Sequence, residues 1–189
     1  MENNFVSRGG IKLQAAIENW KLKIENLVCL DVGSSTGGFV DCLLQNGAKK
    51  IYALDTAYGE LAWKLRNDPR VVVMERTNIL HLEGLPESID LITIDAGWTK
   101  LELVLPVVRK FLKPDGAIIA LLKPHYEAEK KDLVKGVLPT EKAEAVKAEV
   151  VDRLQAAGSG YRIEKIMESP ILGGAGNKEY LLHLTFQQE

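Results

Sequence analysis

The run from Leu27 to Phe39, LVCLDVGSSTGGF, constrains this chain more than any other stretch. An apolar strand pattern breaks into a glycine loop, and an amphipathic helical pattern follows at once. A strand that turns this sharply into a helix lets the main chain approach a ligand closely. The first helical turn then offers its unpaired N–H groups to a polar or anionic edge. The spacing reads G-x-x-x-G-G, which is neither the G-x-G-x-x-G of dinucleotide binders nor the G-x-x-x-x-G-K-[ST] of phosphate loops. No lysine follows the loop, so a triphosphate fits poorly. Asp31 stands just before the first glycine, and Asp55 closes the next strand-like run, Ile51 to Asp55. The two carboxylates suit a ligand that carries an ammonium group and free ribose hydroxyls, a combination found in S-adenosylmethionine. The plain alternative is a tight strand-to-helix turn that binds nothing.

Runs rich in Val, Ile and Leu recur along the chain and alternate with helical patterns. Strands are expected at Leu27–Val32, Ile51–Asp55, Val71–Glu75, Ile89–Asp95 and Ala117–Lys123. Helices are expected at Gly10–Trp20, Phe39–Asn46, Gly59–Arg66, Leu101–Leu112 and Glu141–Ala157. This alternation predicts an α/β fold, a parallel sheet with helices on both faces. Lys113-Pro114-Asp115-Gly116 reads as a turn closing the helix before it. Two alternating runs end the chain, Tyr161–Met167 and Glu179–Phe186. Their glycine-rich connection is short enough for a hairpin, which places an antiparallel strand in the sheet. The whole chain, 1–189, reads as a single domain. Its N-terminal segment and first helix (1–20) carry Lys12, and a charged, weakly patterned loop over 125–138 is expected to be mobile and to border the ligand crevice.

With 189 residues, 46% of them hydrophobic, the chain can bury one sizeable core. A formal charge of −2 gives no global field for nucleic acid, so any RNA contact must come from a local basic patch. The N-terminus has no apolar signal-like region and no apolar run reaches membrane-spanning length, which reads as a cytoplasmic protein without a membrane partner. Cys29 and Cys42 are too few for a disulfide framework or a zinc site, and are expected to fill the core.

In an open sheet of this kind ligands lie outside the carboxyl ends of the strands. Asp31, Asp55, Asp95 and Lys123 each fall at such an end. Asp95 borders the proposed crevice, although a turn or helix cap is its bland role. Lys123 closes an apolar run, where burial or a nearby cation favours a neutral amine able to act as a base. Its plain alternative is a side chain that snorkels to water. Lys12 alone would be an ordinary surface lysine, and Glu179 an ordinary strand-end carboxylate.

Several segments together carry a resemblance: Val6-Ser7-Arg8-Gly9-Gly10-Ile11-Lys12-Leu13, Cys29 to Phe39, Leu61-Ala62-Trp63, Glu75-Arg76-Thr77-Asn78, Leu122-Lys123-Pro124 and Glu179 to Leu184. In order, and over nearly the whole chain, they resemble the haemolysin-A type of FtsJ-like RNA 2′-O-methyltransferases. The resemblance implies a Rossmann-like, seven-stranded mixed sheet with the last strand antiparallel. It implies S-adenosylmethionine as cofactor and a catalytic set at Lys12, Asp95, Lys123 and Glu179. In that set Lys123, kept neutral by Lys12 and oriented by Asp95 and Glu179, takes the proton of a ribose 2′-hydroxyl. Cofactor positions map onto Gly33, Ser34, Ser35, Gly37, Gly38 and Phe39 at the methionine end, Asp55 at the ribose and Asn78 at the adenine, with Asp31 and Asp95 alongside.

Two departures stand out. Where the family has a Ser-Phe stretch after the motif aspartate, this chain has Ala96-Gly97-Trp98-Thr99-Lys100, with Trp98 either stacking on a base or packing on the sheet. The family also carries an N-terminal S4-type RNA-binding domain, and this chain starts where that domain would have ended. Either the sequence is a piece of a longer protein, or RNA recognition has been lost or delegated. The implied partner is RNA, ribosomal RNA or a ribosomal subunit, met by Arg8, Lys12, Lys100 and Lys130-Lys131. A cofactor-binding module that no longer methylates, acting as an RNA-associated or protein-interaction factor, is the competing reading. Methylation of a small molecule or protein is a third, though paired lysines suit an alcohol more than a catechol or amine. Membrane lysis finds no support in any apolar or strongly basic amphipathic segment.

Overall fold

The computed structural model describes residues 4–97, 99–156 and 160–186. Seven strands form one sheet: β1 (Val28–Val32), β2 (Lys50–Leu54), β3 (Val71–Met74), β4 (Ile89–Ile94), β5 (Leu112–Leu122), β6 (Tyr161–Glu168) and β7 (Tyr180–Phe186). Their order is β3-β2-β1-β4-β5-β7-β6. Strands β1 to β5 pair in parallel, and β7 slots antiparallel between β5 and β6. The one reversed strand predicted from the C-terminal hairpin is therefore β7.

Helices α1 (Gly9–Trp20), α2 (Gly38–Gln45), α3 (Trp63–Arg66), α4 (Leu101–Arg109), α5 (Pro124–Glu127) and α6 (Thr140–Ala156) connect or flank the strands. The sheet's period-two alternation divides the core into two layers. Leu30, Val32, Ile92 and Ile94 face α4 and α6 through Val104, Leu105, Val150 and Leu154. Cys29, Ile51, Leu91 and Ile119 face α1 and α2 through Leu13, Ile17, Val40 and Leu43. Both cysteines are free and buried, and burial pushes both thiols up, so they act as small apolar fillers.

Two expectations need correction. The predicted helix over 59–66 shrinks to α3. Gly59 takes a left-handed φ of +81° and donates its N–H to Glu75 Oε1, while Ala62 donates to the Thr36 carbonyl, so these amides brace loops instead of a helix. The expected turn at Lys113–Gly116 belongs to β5 and bulges, the pairing shifting from Ile89↔Leu112 to Leu91↔Ala117. Lys113 Nζ holds Asp90 Oδ1 at 2.6 Å, which ties the bulge to β4. The segment 125–138 has local structure: α5, a 3₁₀ turn at Lys130–Asp132 and a bridge between Val134 and Val137.

The strand order reverses between β1 and β4, since β1 leads to β2 on one side and β4 to β5 on the other. A crevice opens at such a switch point, outside the carboxyl ends of both strands. Gly33 and Asp95 are the residues that immediately follow β1 and β4.

Candidate active site

A cavity of about 240 Å³ lies at that switch point, lined by the glycine loop (Gly33, Ser34, Ser35, Thr36), by Gly38 and Phe39 of α2, by Ser7, Arg8, Gly9 and Lys12, and by Asp95. The loop is glycine-rich for identifiable reasons. Gly33 has φ +84°, and a Cβ there would sit 2.7 Å from the Asp95 carbonyl oxygen. Only glycine lets the end of β1 lie against the end of β4. At Gly38 a Cβ would strike Ser7 Oγ and crowd the Gly10 amide at 2.9 Å, so α2 and the segment before α1 share one tight contact. Gly37, in the left-handed region, starts α2 from behind this lining rather than within it.

The carboxylates of this half take distinct positions. Asp55 Oδ2 accepts the Ser35 amide at 2.7 Å and its Oδ1 accepts the Ala57 amide at 2.8 Å, so it clamps the glycine loop to the end of β2. Asp31 lies behind the loop, fully buried and outside the crevice lining. Its Oδ1 accepts the Thr93 hydroxyl at 2.5 Å, while Oδ2 is sealed from solvent without a hydrogen-bond partner. Burial, against the opposing Thr93 bond and with help from Asp95 and Asp55, pushes its carboxyl up to about 7. Asn78 caps the 3₁₀ turn Ile79–His81, its side-chain oxygen accepting the Leu80 amide at 3.0 Å. Trp98 lies outside the described residues.

A second cavity, of about 570 Å³, adjoins the first through Lys12, which lines both. Its walls include Lys123, His125, Tyr126, Lys130, Asn177 and Glu179. Lys12, one turn into α1, donates to Glu179 Oε2 at 2.5 Å across 167 residues of sequence. Side-chain exposures of 11% and 3% make this a desolvated ion pair. Lys123 Nζ stands 2.6 Å from Asp95 Oδ1. The four residues singled out by the resemblance thus form two ion pairs at the junction of two cavities, each lysine facing a carboxylate from another element.

The surroundings fix these pairs. A Cβ on Gly173 would collide with the Glu179 carboxylate, so the glycine-rich connection before β7 makes room for it. Asn177 donates to the Gly136 and Gly174 carbonyls and accepts the Leu138 amide, stitching the 125–138 segment to that connection. Tyr126 lies under Lys123, its ring centroid 5.6 Å from Nζ. Glu127 Oε1 accepts the first amide of α4, from Leu101, at 3.1 Å, and burial pushes its carboxyl up. None of His125, Tyr126, Glu127 and Asn177 was singled out from sequence. The only hint was their nearness to Lys123 and Glu179.

Arg8 and Lys100 are exposed, Arg8 on the first cavity, and Lys130 is exposed at the mouth of the second. Lys131 is exposed and paired with Glu129 at 2.7 Å. Among the described residues no group of histidine, cysteine and carboxylate side chains is arranged to hold a metal, and no helix is long and apolar enough to cross a membrane.

Comparison with known proteins agrees with this layout. The model of the FtsJ-like methyltransferase family matches residues 5–186. A candidate rRNA methyltransferase of Bacillus subtilis is 45% identical over 98% of this chain and 67% of its own length. The 16S/23S rRNA (cytidine-2′-O)-methyltransferase TlyA of Mycobacterium tuberculosis is 37% identical over 100% of the chain and 71% of its own length. A solved structure of a candidate hemolysin from Streptococcus thermophilus superposes with a TM-score of 0.92 at 36% identity, covering 100% of this chain and 70% of that one.

The chain belongs to the FtsJ-like methyltransferase family, and its sheet is the Rossmann-like methyltransferase fold.

Proposed function

We propose that this methyltransferase moves a methyl group from S-adenosylmethionine to a ribose 2′-hydroxyl of ribosomal RNA, with Lys12, Asp95, Lys123 and Glu179 as its catalytic set. The observation that carries the reading is the junction of the two cavities at Lys12, where a glycine-loop crevice meets a lysine-bearing pocket. Two of the relatives above bear on the substrate: the Mycobacterium enzyme is named for cytidine 2′-O-methylation of 16S and 23S rRNA, and the Bacillus protein for rRNA. Work on that substrate would place the protein in the cytoplasm.

The residues of the first cavity fit the donor. The glycines leave open a cradle that side chains would fill. Ser34, Ser35 and the start of α2 at Gly38 and Phe39 would hold its amino-acid end. Asp55, with each oxygen accepting only one N–H, keeps lone pairs for ribose hydroxyls. Asn78 would meet the adenine. S-adenosylmethionine supplies a sulfonium-activated methyl group, so the protein's task is to place the hydroxyl and remove its proton.

Lys123 takes that proton. Asp95, 2.6 Å away, fixes where its amine points. To accept the proton, the amine must arrive as a free base, with its lone pair turned to the hydroxyl. Glu179 keeps Lys12 in place and balances its charge inside a site too dry to leave it bare.

A tritiated methyl-transfer assay on purified ribosomal subunits tests the reading. Label in RNA with the wild-type protein, absent with Lys123→Ala, is expected. Binding of S-adenosylmethionine without label in any ribosomal RNA would instead identify a module that holds the cofactor and does not methylate.

A further inference from the structure

His125 lines the second cavity two residues beyond Lys123, and nothing assigned so far uses it. Its Nδ1 is sealed from solvent and has no hydrogen-bond partner, whereas Nε2 is not sealed and makes no hydrogen bond among the described residues. A neutral imidazole carries one N–H and one lone pair. An N–H shut away without an acceptor is the rarer and costlier orphan, so the sealed Nδ1 keeps the lone pair and the proton sits on Nε2. The ring then turns an N–H donor toward the open cavity. Burial first, then the charges of Lys123 and Lys12, holds the imidazole below its ordinary pKa and hence uncharged at neutral pH.

The ring is held rigidly with respect to the reacting centre. Helix α5 is one turn long and fastened at both ends, Tyr126 donating to the Lys123 carbonyl and Ala128 to the Pro124 carbonyl. Pro124 is buried, and the Tyr126 ring packs on His125 with centroids 4.2 Å apart while lying under Lys123. A nucleotide whose ribose meets Lys123 would enter the cavity that His125 also lines.

We propose that His125 positions the nucleotide being methylated, its Nε2–H donating to the acceptor beside the glycosidic bond, which in a pyrimidine is the 2-carbonyl oxygen and in a purine N3. The inference rests on the function proposed above. An uncharged donor suits an uncharged acceptor. A phosphate would be better met by Lys130 at the cavity mouth, and the lysines that keep the imidazole neutral leave it no charge to offer. The proposed base acceptor lies next to the ribose in every nucleotide, and His125 and Lys123 line the same cavity. A cavity of about 570 Å³ falls in the size range of ligand pockets and has room for a nucleotide turned out of its strand.

The test compares wild type, His125→Ala and His125→Gln on a synthetic RNA bearing the mapped target, with either cytidine or 2-thiocytidine at that position. Thiocarbonyl sulfur is a far weaker acceptor than oxygen. On the cytidine RNA, His125→Ala is expected to lower kcat/KM about tenfold, mainly through KM, as the loss of one hydrogen bond to a neutral partner implies. Glutamine, which restores a donor, is expected to recover most of this. On the 2-thio RNA the difference between wild type and His125→Ala should nearly vanish, and affinity for S-adenosylmethionine should be the same in all three proteins. Wild-type kinetics for His125→Ala on cytidine RNA, or an equal loss on both RNAs, would overturn the inference while leaving the function standing. A wild-type protein that methylates no RNA would instead sink the function itself.

Discussion

The two cavities that meet at Lys12 are built by opposite means. The first is mainly a backbone structure: a glycine loop and a helix start supplied by the run 33–39, closed by the 7–12 segment and Asp95, with Asp55 clamping the loop by accepting amides. The second is a side-chain structure, assembled from α1, the end of β5, the segment from α5 to Gly136 and the entrance to β7, and held by the Lys12–Glu179 ion pair within it and the Lys123–Asp95 pair at its junction with the first. On the proposed function, the contrast means that recognition of the donor is encoded largely locally, with no room for a Cβ at Gly33 or Gly38, while the chemistry is encoded at long range and depends on charge balance.

The sharpest way to break this comparison is to remove the proposed base. Lys123→Ala is expected to cut methyl transfer by about 10²–10⁴, the usual range for a general base, while the affinity for S-adenosylmethionine, read by calorimetry, barely changes. Comparable losses in both would mean the two cavities are one functional unit.

The same division explains what could be read from sequence. The glycine loop, the alternation of strands and helices and the reversed last strand all leave local periodic signals, and each stands where expected. The ionic set is only half legible: Asp95 and Lys123 stand at strand ends, where a ligand crevice is expected, whereas Lys12 and Glu179 read alone as surface residues and only the resemblance joined them to the others. Residues 59–62 showed a helical pattern, yet their amides brace the glycine loop and the end of β3, contacts that no local propensity records. The bulge at Lys113–Gly116 was hidden for the same reason, because its Lys113–Asp90 tie spans two strands. His125 was invisible because its significance lies in one sealed nitrogen.

Charge balance in the second cavity can be tested by stability. Lys12→Met strands the Glu179 carboxylate in a nearly dry position and is expected to destabilise the fold by about 3–5 kcal/mol, measured by urea unfolding. Replacing both members, Lys12→Met with Glu179→Leu, should recover much of the stability but none of the activity. Full stability in the single variant would show that the pair is wetter than its exposure indicates.

Backbone dependence in the first cavity predicts a smaller effect. Gly33→Ala forces a Cβ against the Asp95 carbonyl at a positive φ, for a loss of about 1–3 kcal/mol in stability and a weaker hold on the donor. An alanine that binds S-adenosylmethionine like wild type would remove the argument that only glycine fits.

The last prediction is a pH dependence and concerns Asp31. Its native pKa of about 7 lies above its unfolded value, so between roughly pH 4 and 7 the native state binds the extra proton and stability from this group falls as pH rises. Above pH 7 the loss is complete. Asp31→Asn, which cannot ionise, should flatten that part of the stability profile relative to wild type. Parallel profiles for the two proteins would show that Asp31 is already ionised in the native state.

Mass spectrometry of nucleosides from ribosomal RNA treated with the enzyme and S-adenosylmethionine tests the central claim most directly. The account predicts one new species, a nucleoside with its added methyl on the ribose 2′-oxygen, produced by wild type and absent with Lys123→Ala. A methyl group on the base, or a ribose-methylated product formed equally well without Lys123, would contradict it.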